Sequence, residues 1–295
     1  QFPGPEAYAV GAGDGRSAEG RARQRQLTCI GLRQADGVLP ASPYTGRAAA
    51  RSCLRRRYTM DLAYSYTAFF VAYLIGSLSF AVIVSKMMGL GDPRTYGSKN
   101  PGATNVLRSG NKKAAVLTLV LDALKGLVPV LLVQHYAFEL GFEDITIAFV
   151  GVSAFLGHLF PVFFRFKGGK GVATAAGVLM AYDPLLGIAT LVSWILVAAI
   201  FRYASLASVL AAAFAPFFTL MFLDRPSVAL AVSVMSLLLI WRHWPNIIKL
   251  ARGKESRIGE KSDETQPKRR RRRVRRLHDE VAPGTESRST HSKGN

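Results

Sequence analysis

Ser98, Asn100, Thr104, Asn105 and Arg108 fall within one glycine-punctuated stretch, Gly97-Ser98-Lys99-Asn100-Pro101-Gly102-Ala103-Thr104-Asn105-Val106-Leu107-Arg108. Short hydroxyl and amide donors stand here beside a guanidinium. On a backbone that glycines free to turn its N–H groups inward, they describe a cradle for phosphate or carboxylate oxygens. An ordinary connector also uses Gly and Pro to turn, but it does not need this density of donors. If a helix starts at Ala103, its first N–H groups add to the same anion site. A second stretch, Phe166-Lys167-Gly168-Gly169-Lys170-Gly171-Val172-Ala173-Thr174, repeats the chemistry with two lysines around glycines. A third, Trp241-Arg242-His243-Trp244-Pro245-Asn246, closes the last apolar run. Alone it reads as an interfacial belt of Trp, His and Arg; on the same face as the two loops, His243 and Asn246 become hydrogen-bonding groups for a polar substrate.

Several other chemistries are excluded by pattern. Lys170 is followed by Gly171, not Ser or Thr, so the second loop is not a Walker A loop, and it does not make Gly-x-Gly-x-x-Gly. No Gly-x-Ser-x-Gly elbow occurs. The residues five after His135, His158 and His243 are Leu140, Phe163 and Ile248, so the His-x4-Asp pair of soluble-facing glycerolipid acyltransferases is missing. Both cysteines, Cys29 and Cys53, precede the apolar part of the chain, which rules out a cysteine-ligated metal there. No metal or cofactor is expected. Three further residues stand out. Asp122 and Lys125, one turn apart in an apolar run, either pair with each other or serve a substrate. His158 reads as a structural histidine near the membrane surface, and Ser205 as a helix cap on the reactive face.

The elements that must position these groups are apolar spans. Segments at 63–88, 114–134, 145–163, 171–181, 185–201, 205–222 and 226–242 are bounded by polar or proline breaks, and most match the roughly 30 Å hydrocarbon layer of a bilayer. The expectation is an all-α integral membrane protein, a bundle of seven mostly short transmembrane helices with active-site loops at the cytoplasmic face. The 89–113 connector carries Arg94, Lys99, Arg108, Lys112 and Lys113 against Asp92, whereas the 135–144 connector carries Glu139, Glu143 and Asp144 without Lys or Arg. By the positive-inside tendency the first is cytoplasmic. Seven crossings then place the 164–171 loop, the Arg202–Ala204 turn and the C-terminus on that same side.

The ends differ from the middle. Residues 1–59 hold 10 basic and 4 acidic residues with no sustained periodicity, and are expected to be a disordered or non-native extension. Arg51, Arg55, Arg56 and Arg57 would lie outside before the first span, a conflict removed if translation starts near Met60. Residues 60–250 form the membrane domain. Residues 251–295 form a basic cytoplasmic tail, nearly all arginine and lysine from Lys268 to Arg276, suited to solvent or to anionic head groups.

Taken together, the Gly97 to Arg108 stretch, the Gly157-His158-Leu159-Phe160-Pro161 to Thr174 block and Arg242-His243 with Asn246 resemble the three motifs of the PlsY family, bacterial acyl-phosphate:glycerol-3-phosphate acyltransferases. The resemblance covers about Leu62 to Glu255, in order and spacing. It implies a seven-helix enzyme of the bacterial inner membrane with a cytoplasmic active site. The acyl group would pass from an acyl-phosphate to the sn-1 hydroxyl of glycerol 3-phosphate, giving lysophosphatidic acid and inorganic phosphate in phospholipid biosynthesis. Carried onto matching positions, the family's roles put Ser98, Arg108 and Lys167 on phosphate, and Ser205, His243 and Asn246 on glycerol 3-phosphate or donor oxygens. Asn100, Gly102, Thr104, Asn105, Gly168, Gly169, Lys170, Gly171 and Thr174 would line the substrate site. The partners implied are the two substrates, the bilayer and the soluble enzyme that supplies acyl-phosphate, with no specific nucleic acid. In this family the donor's own phosphate is thought to take the hydroxyl proton, which fits the missing side-chain base.

Two other classes predict different behaviour. A transporter of a phosphorylated solute needs a polar path across the whole bilayer and gives flux only in sealed vesicles. Nucleic-acid binding through Lys268 to Arg276 would be steeply salt-dependent and indifferent to sequence. The polar residues gather at one face, which favours the enzyme.

Overall fold

The computed structural model describes residues 62–258. The expectations for the N-terminal extension, for a start near Met60 and for the Lys268 to Arg276 run lie outside the described residues. By its contacts the chain divides at Tyr64, into Gln1–Tyr64 and Ser65–Asn295, and the second unit carries the elements that follow, save the first three residues of α1.

Among the described residues the fold is wholly helical. After α1 (Leu62–Gly76) come α2 (Phe80–Met87), α3 (Ala103–Leu107), α4 (Lys112–His135), α5 (Ala137–Leu140) and α6 (Asp144–Leu159). They are followed by α7 (Val172–Tyr182), α8 (Pro184–Phe201), α9 (Ala204–Phe222), α10 (Pro226–Arg242) and α11 (Trp244–Ala251). Each of the seven apolar segments is helical, but they are not seven unbroken spans. Among the described residues four helices are long and apolar enough to cross a membrane, two bent pairs raise the number to as many as six, and α7 is a shorter apolar helix.

The two bends have local causes. Between α1 and α2 the axis turns by 42°. There the Ser77 hydroxyl donates back to Tyr73 O (2.8 Å), competing with the backbone ladder. Between α10 and α11 the turn is 54°. Pro245 has no N–H to continue the ladder, so a new helix starts with proline in its first turn.

The centre of the bundle is α6. In the 18-residue apolar stretch of Asp144–Phe164, 61% of the residues are buried, against 17% of Pro184–Phe201, whose Ile188, Leu191 and Ile195 face outward as a lipid-exposed surface would. Val150, Phe155 and Leu159 of α6 pack with Val130 of α4, Val178 of α7 and Val232 of α10. Between lipid-like surfaces the hydrophobic effect does not drive helices together, and small residues permit backbone approach instead. At α4 and α7 this is reciprocal: a Cβ on Gly126 would overlap the Thr174 carbonyl, and one on Gly177 the Ala123 carbonyl.

The bundle has two distinct ends. At one, Ser65 Oγ meets Thr146 Oγ1 (3.0 Å), Arg225 pairs with Asp144 (2.8 Å) and the Tyr182 hydroxyl donates to Ala148 O. The glycine-rich and basic connectors gather at the other.

The packing at Gly177 makes a direct prediction. Gly177→Leu places a branched side chain against the α4 backbone, and overpacking of this kind costs about 1–3 kcal/mol. The variant in detergent should lose monodisperse protein or melt well below wild type by tryptophan fluorescence, whereas Ile195→Leu on the exposed face of α8 should not.

Candidate active site

The first loop is built around Asn105. Its buried amide accepts from Ser98 N (2.9 Å) and donates to Pro93 O (2.6 Å) and Tyr96 O (3.2 Å), so it is a brace for the loop and not the free substrate donor its type suggested. Gly97, at φ +57°, leaves room for Asn105 Oδ1 where a side chain would sit. α3 begins at Ala103 as expected, with Gly102 before it. Ser98 and Thr104 remain exposed, and Asn100 is half-buried. Arg94 is held by both carboxylate oxygens of Asp92 (2.6 Å at the closest), and this pairing keeps the Asp92 carboxyl below its ordinary range. Arg108 makes no such ion pair among the described residues; its guanidinium donates to the Ser256 hydroxyl.

The second loop is clamped from both sides. Gly168 and Gly169 are buried against α6, with Gly169 N donating to His158 O (3.2 Å). A Cβ on Gly168 would strike the His158 and Leu159 carbonyls, and one on Gly169 the His158 ring and the Pro101 carbonyl, so this is also where the first and second loops meet. From the opposite side Arg242 donates through Nε to Gly169 O (3.2 Å) and through Nη2 to Gly168 O (3.1 Å). The fork shape of guanidinium suits two neighbouring carbonyls, which an ammonium cannot match. Gly171 (φ +81°) then starts α7.

Thr174 lies inside the bundle, not in the cradle. Its hydroxyl donates to Asp122 O (2.9 Å) and meets His158 Nδ1 at 3.1 Å. With the hydroxyl proton directed to Asp122 O, His158 Nδ1–H is the donor to Thr174, and Nε2 is left as the ring's acceptor. Asp122 and Lys125 pair at 2.8 Å, and Lys125 also donates to Leu78 O (2.6 Å) at the bend between α1 and α2. The sequence left pairing and a substrate role open for these two; the contacts they make are with each other and with the fold.

Lys170, not Lys167, reaches the third motif. Its Nζ donates to Asn246 Oδ1 (2.5 Å), while Lys167 is exposed with no side-chain partner among the described residues. Burial lowers the Lys170 ammonium to about 8; Glu255 opposes the shift, and Lys249, Arg108 and Arg242 add to it. Asn246 Nδ2 donates in turn to Glu255 Oε1 (2.7 Å). His243 is buried, and its Nδ1 contacts Leu239 O at 2.8 Å. A carbonyl only accepts, so Nδ1 carries the proton. Ser205 is not a cap, since α9 starts at Ala204 after Tyr203. Its buried hydroxyl has no hydrogen-bond partner among the described residues, an unmet need that a ligand oxygen would answer.

One end of the bundle therefore holds Arg108, Lys170, Asn246 and the two glycine loops in contact, with Ser205 at the start of the neighbouring helix. Arg242, Glu255 and Ser256 belong to this group although spacing alone did not mark them as site residues. Arg242 could have been noticed beside His243; Glu255 and Ser256, past the expected domain limit at residue 250, carried no local signal.

The family model described as Glycerol-3-phosphate acyltransferase matches residues 66–253. A glycerol-3-phosphate acyltransferase of Paraburkholderia phytofirmans is 64% identical over 191 residues, 65% of this chain and 89% of that protein. Two crystal structures of PlsY, an integral membrane glycerol 3-phosphate acyltransferase, align over 66% of this chain. The glycerol 3-phosphate form is 39% identical with a TM-score of 0.62 and 96% of its chain covered. For the lysophosphatidic acid form the values are 38%, 0.61 and 95%. The chain belongs to the PlsY family of glycerol-3-phosphate acyltransferases.

Proposed function

We propose that this glycerol-3-phosphate acyltransferase takes its acyl group from an acyl-phosphate and delivers it to the sn-1 hydroxyl of glycerol 3-phosphate. The observation that carries the reading is that one end of an apolar bundle gathers Arg108, the Lys170–Asn246 contact and a Ser205 hydroxyl that is buried and without a hydrogen-bond partner among the described residues. The end products are lysophosphatidic acid and inorganic phosphate. In the transfer, the glycerol oxygen forms a bond to the acyl carbon as the bond from that carbon to the phosphate oxygen breaks, and the departing phosphate takes the hydroxyl proton.

This donor suits a site without a general base. An acyl-phosphate is a mixed anhydride whose leaving group needs little assistance, so the harder task is to hold two mutually repelling anions in reacting geometry. Arg108 and Lys170 offset that repulsion, and the clamped glycine loop supplies backbone N–H groups on a rigid support. Ser98, exposed beside Arg108 in the same loop, and Lys167 at the rim are the further phosphate contacts of this reading. His243, Asn246 and Ser205 orient the glycerol moiety. The cationic end faces the cytoplasm of a bacterial inner membrane, in keeping with the basic connectors, and a soluble enzyme there supplies the acyl-phosphate.

With purified protein in lipid, acyl-phosphate should give lysophosphatidic acid and acyl-CoA should not. Ser98→Ala and Arg108→Ala should each lose most of that activity; product from acyl-CoA would overturn the donor assignment, and fully active variants the site. A second expectation concerns pH. Lys170 is charged below about 8 and loses its charge as pH rises through that value, so the pH profile should show KM for glycerol 3-phosphate rising on the alkaline side. That limb should vanish in Lys170→Arg, whose guanidinium stays charged. Third, Arg242→Lys keeps the charge but not the fork on Gly168 and Gly169, and kcat should fall by about tenfold or more, in line with misplacement of a positioning loop.

A further inference from the structure

We infer that Glu255 is a positioning residue of the phosphate site, which fixes the orientation of the Asn246 amide and through it the place of Lys170. The inference rests on the acyltransferase reading above. It starts from the path of the chain after α11. Gly253, at φ +65°, turns the backbone out of the helix, and Lys254 N closes the turn on Lys249 O (2.8 Å). Residues 255–258 then run back across the cationic end. Consecutive residues reach different motifs: Glu255 meets Asn246 of the third, and Ser256 meets Arg108 of the first. The crossing ends where Ile258 N donates to Arg202 O (2.8 Å), two residues before α9.

The direction of the hydrogen bonds gives the role. A primary amide is nearly symmetric in shape, so either end of Asn246 could face Lys170, and only the end bearing oxygen can accept from an ammonium. A carboxylate accepts and cannot donate. With Glu255 on the far side, Nδ2 must turn to it and Oδ1 must turn to Lys170, as the 2.7 Å and 2.5 Å contacts record. Glutamine at 255 offers both a donor and an acceptor and no longer dictates the choice. The charge has a second effect. The groups facing Lys170 are Arg108, Arg242, Lys249, His243 and Glu255, and among them Glu255 is the acidic one. It offsets the repulsion of assembling cations there before an anion arrives.

The test uses the full-length protein in lipid, with glycerol 3-phosphate binding by calorimetry beside acyl transfer. Glu255→Gln should raise KM and Kd for glycerol 3-phosphate by about five- to tenfold, the size expected for the net contribution of one intramolecular hydrogen bond. It should also move the alkaline limb of the KM profile to lower pH, because Lys170 loses the group that keeps it protonated. Glu255→Asp, with the charge kept and the reach shortened, should fall between. In an Asn246→Ala background, Glu255→Gln should add little to KM or Kd, since the residue through which it acts is gone. Should Glu255→Gln match wild type in KM, Kd and pH limb, or cost as much with Asn246 absent as with it present, the inference is overturned while the acyltransferase reading stands. A wild-type protein that neither binds glycerol 3-phosphate nor transfers acyl groups would overturn that reading and this inference with it.

Discussion

The Asp122–Lys125 pair holds the rest of the site in place. Two opposite charges buried at 2.8 Å in an apolar bundle are tolerated only while both are present. Here the fold answers the ammonium and the Asp122 backbone, while Asp122 Oδ1 has Lys125 as its ion partner and no hydrogen bond besides among the described residues. Lys125 donates to the Leu78 carbonyl at the bend between α1 and α2, and its ammonium lies 5.7 Å from the centre of the Phe80 ring. The Asp122 backbone accepts from Thr174, and Thr174 engages His158. A bend in the first span, α4, α6 and α7 are thus tied together by polar contacts where apolar packing alone would leave them free to slide.

Rigidity then passes outward from this network to the cradle. His158 touches the second loop through its carbonyl and its ring, and both contacts require glycine on the other side. Arg242 closes the same loop from α10. A loop gripped between a helix-borne imidazole and a helix-borne guanidinium can present backbone N–H groups without reorganising at the moment of reaction, which is what electrostatic preorganisation asks for. The glycines of this motif are therefore packing residues as much as turning ones.

The cationic end is in turn a compromise between holding anions and holding itself together. Lys170 sits among other positive groups and has part of its proton affinity removed by burial. Neutral dipoles and one carboxylate temper the repulsion: the Asn246 amide beside Lys170, Glu255 behind it, and the Ser256 hydroxyl on Arg108. The groups of this site are incompletely satisfied by one another, as the proposed binding of dianions requires. The buried Ser205 hydroxyl shows the same property at the start of α9.

Much of this protein was legible from residue types and order. The length of the apolar runs follows from bilayer thickness, the anion loops from Gly, Ser, Asn, Arg and Lys in close spacing, and the family from three motifs in sequence; each depends on neighbours along the chain. The exposed Ser98 and the half-buried Arg108 could be proposed this way because loop chemistry is local. Tertiary structure decided the division of labour. Asn105 and Thr174 look like substrate donors, yet the Asn105 amide faces the loop backbone and the Thr174 hydroxyl faces the Asp122 carbonyl and the His158 ring, partners that no local pattern reveals. Lys167 and Lys170 are equivalent by composition, and only the fold brings one of them to Asn246, 76 positions away. Glu255 and Ser256 joined the site for the same reason: hydrogen bonds are short-ranged and directional, so which groups meet is fixed by how helices far apart in the chain are packed, not by any local pattern.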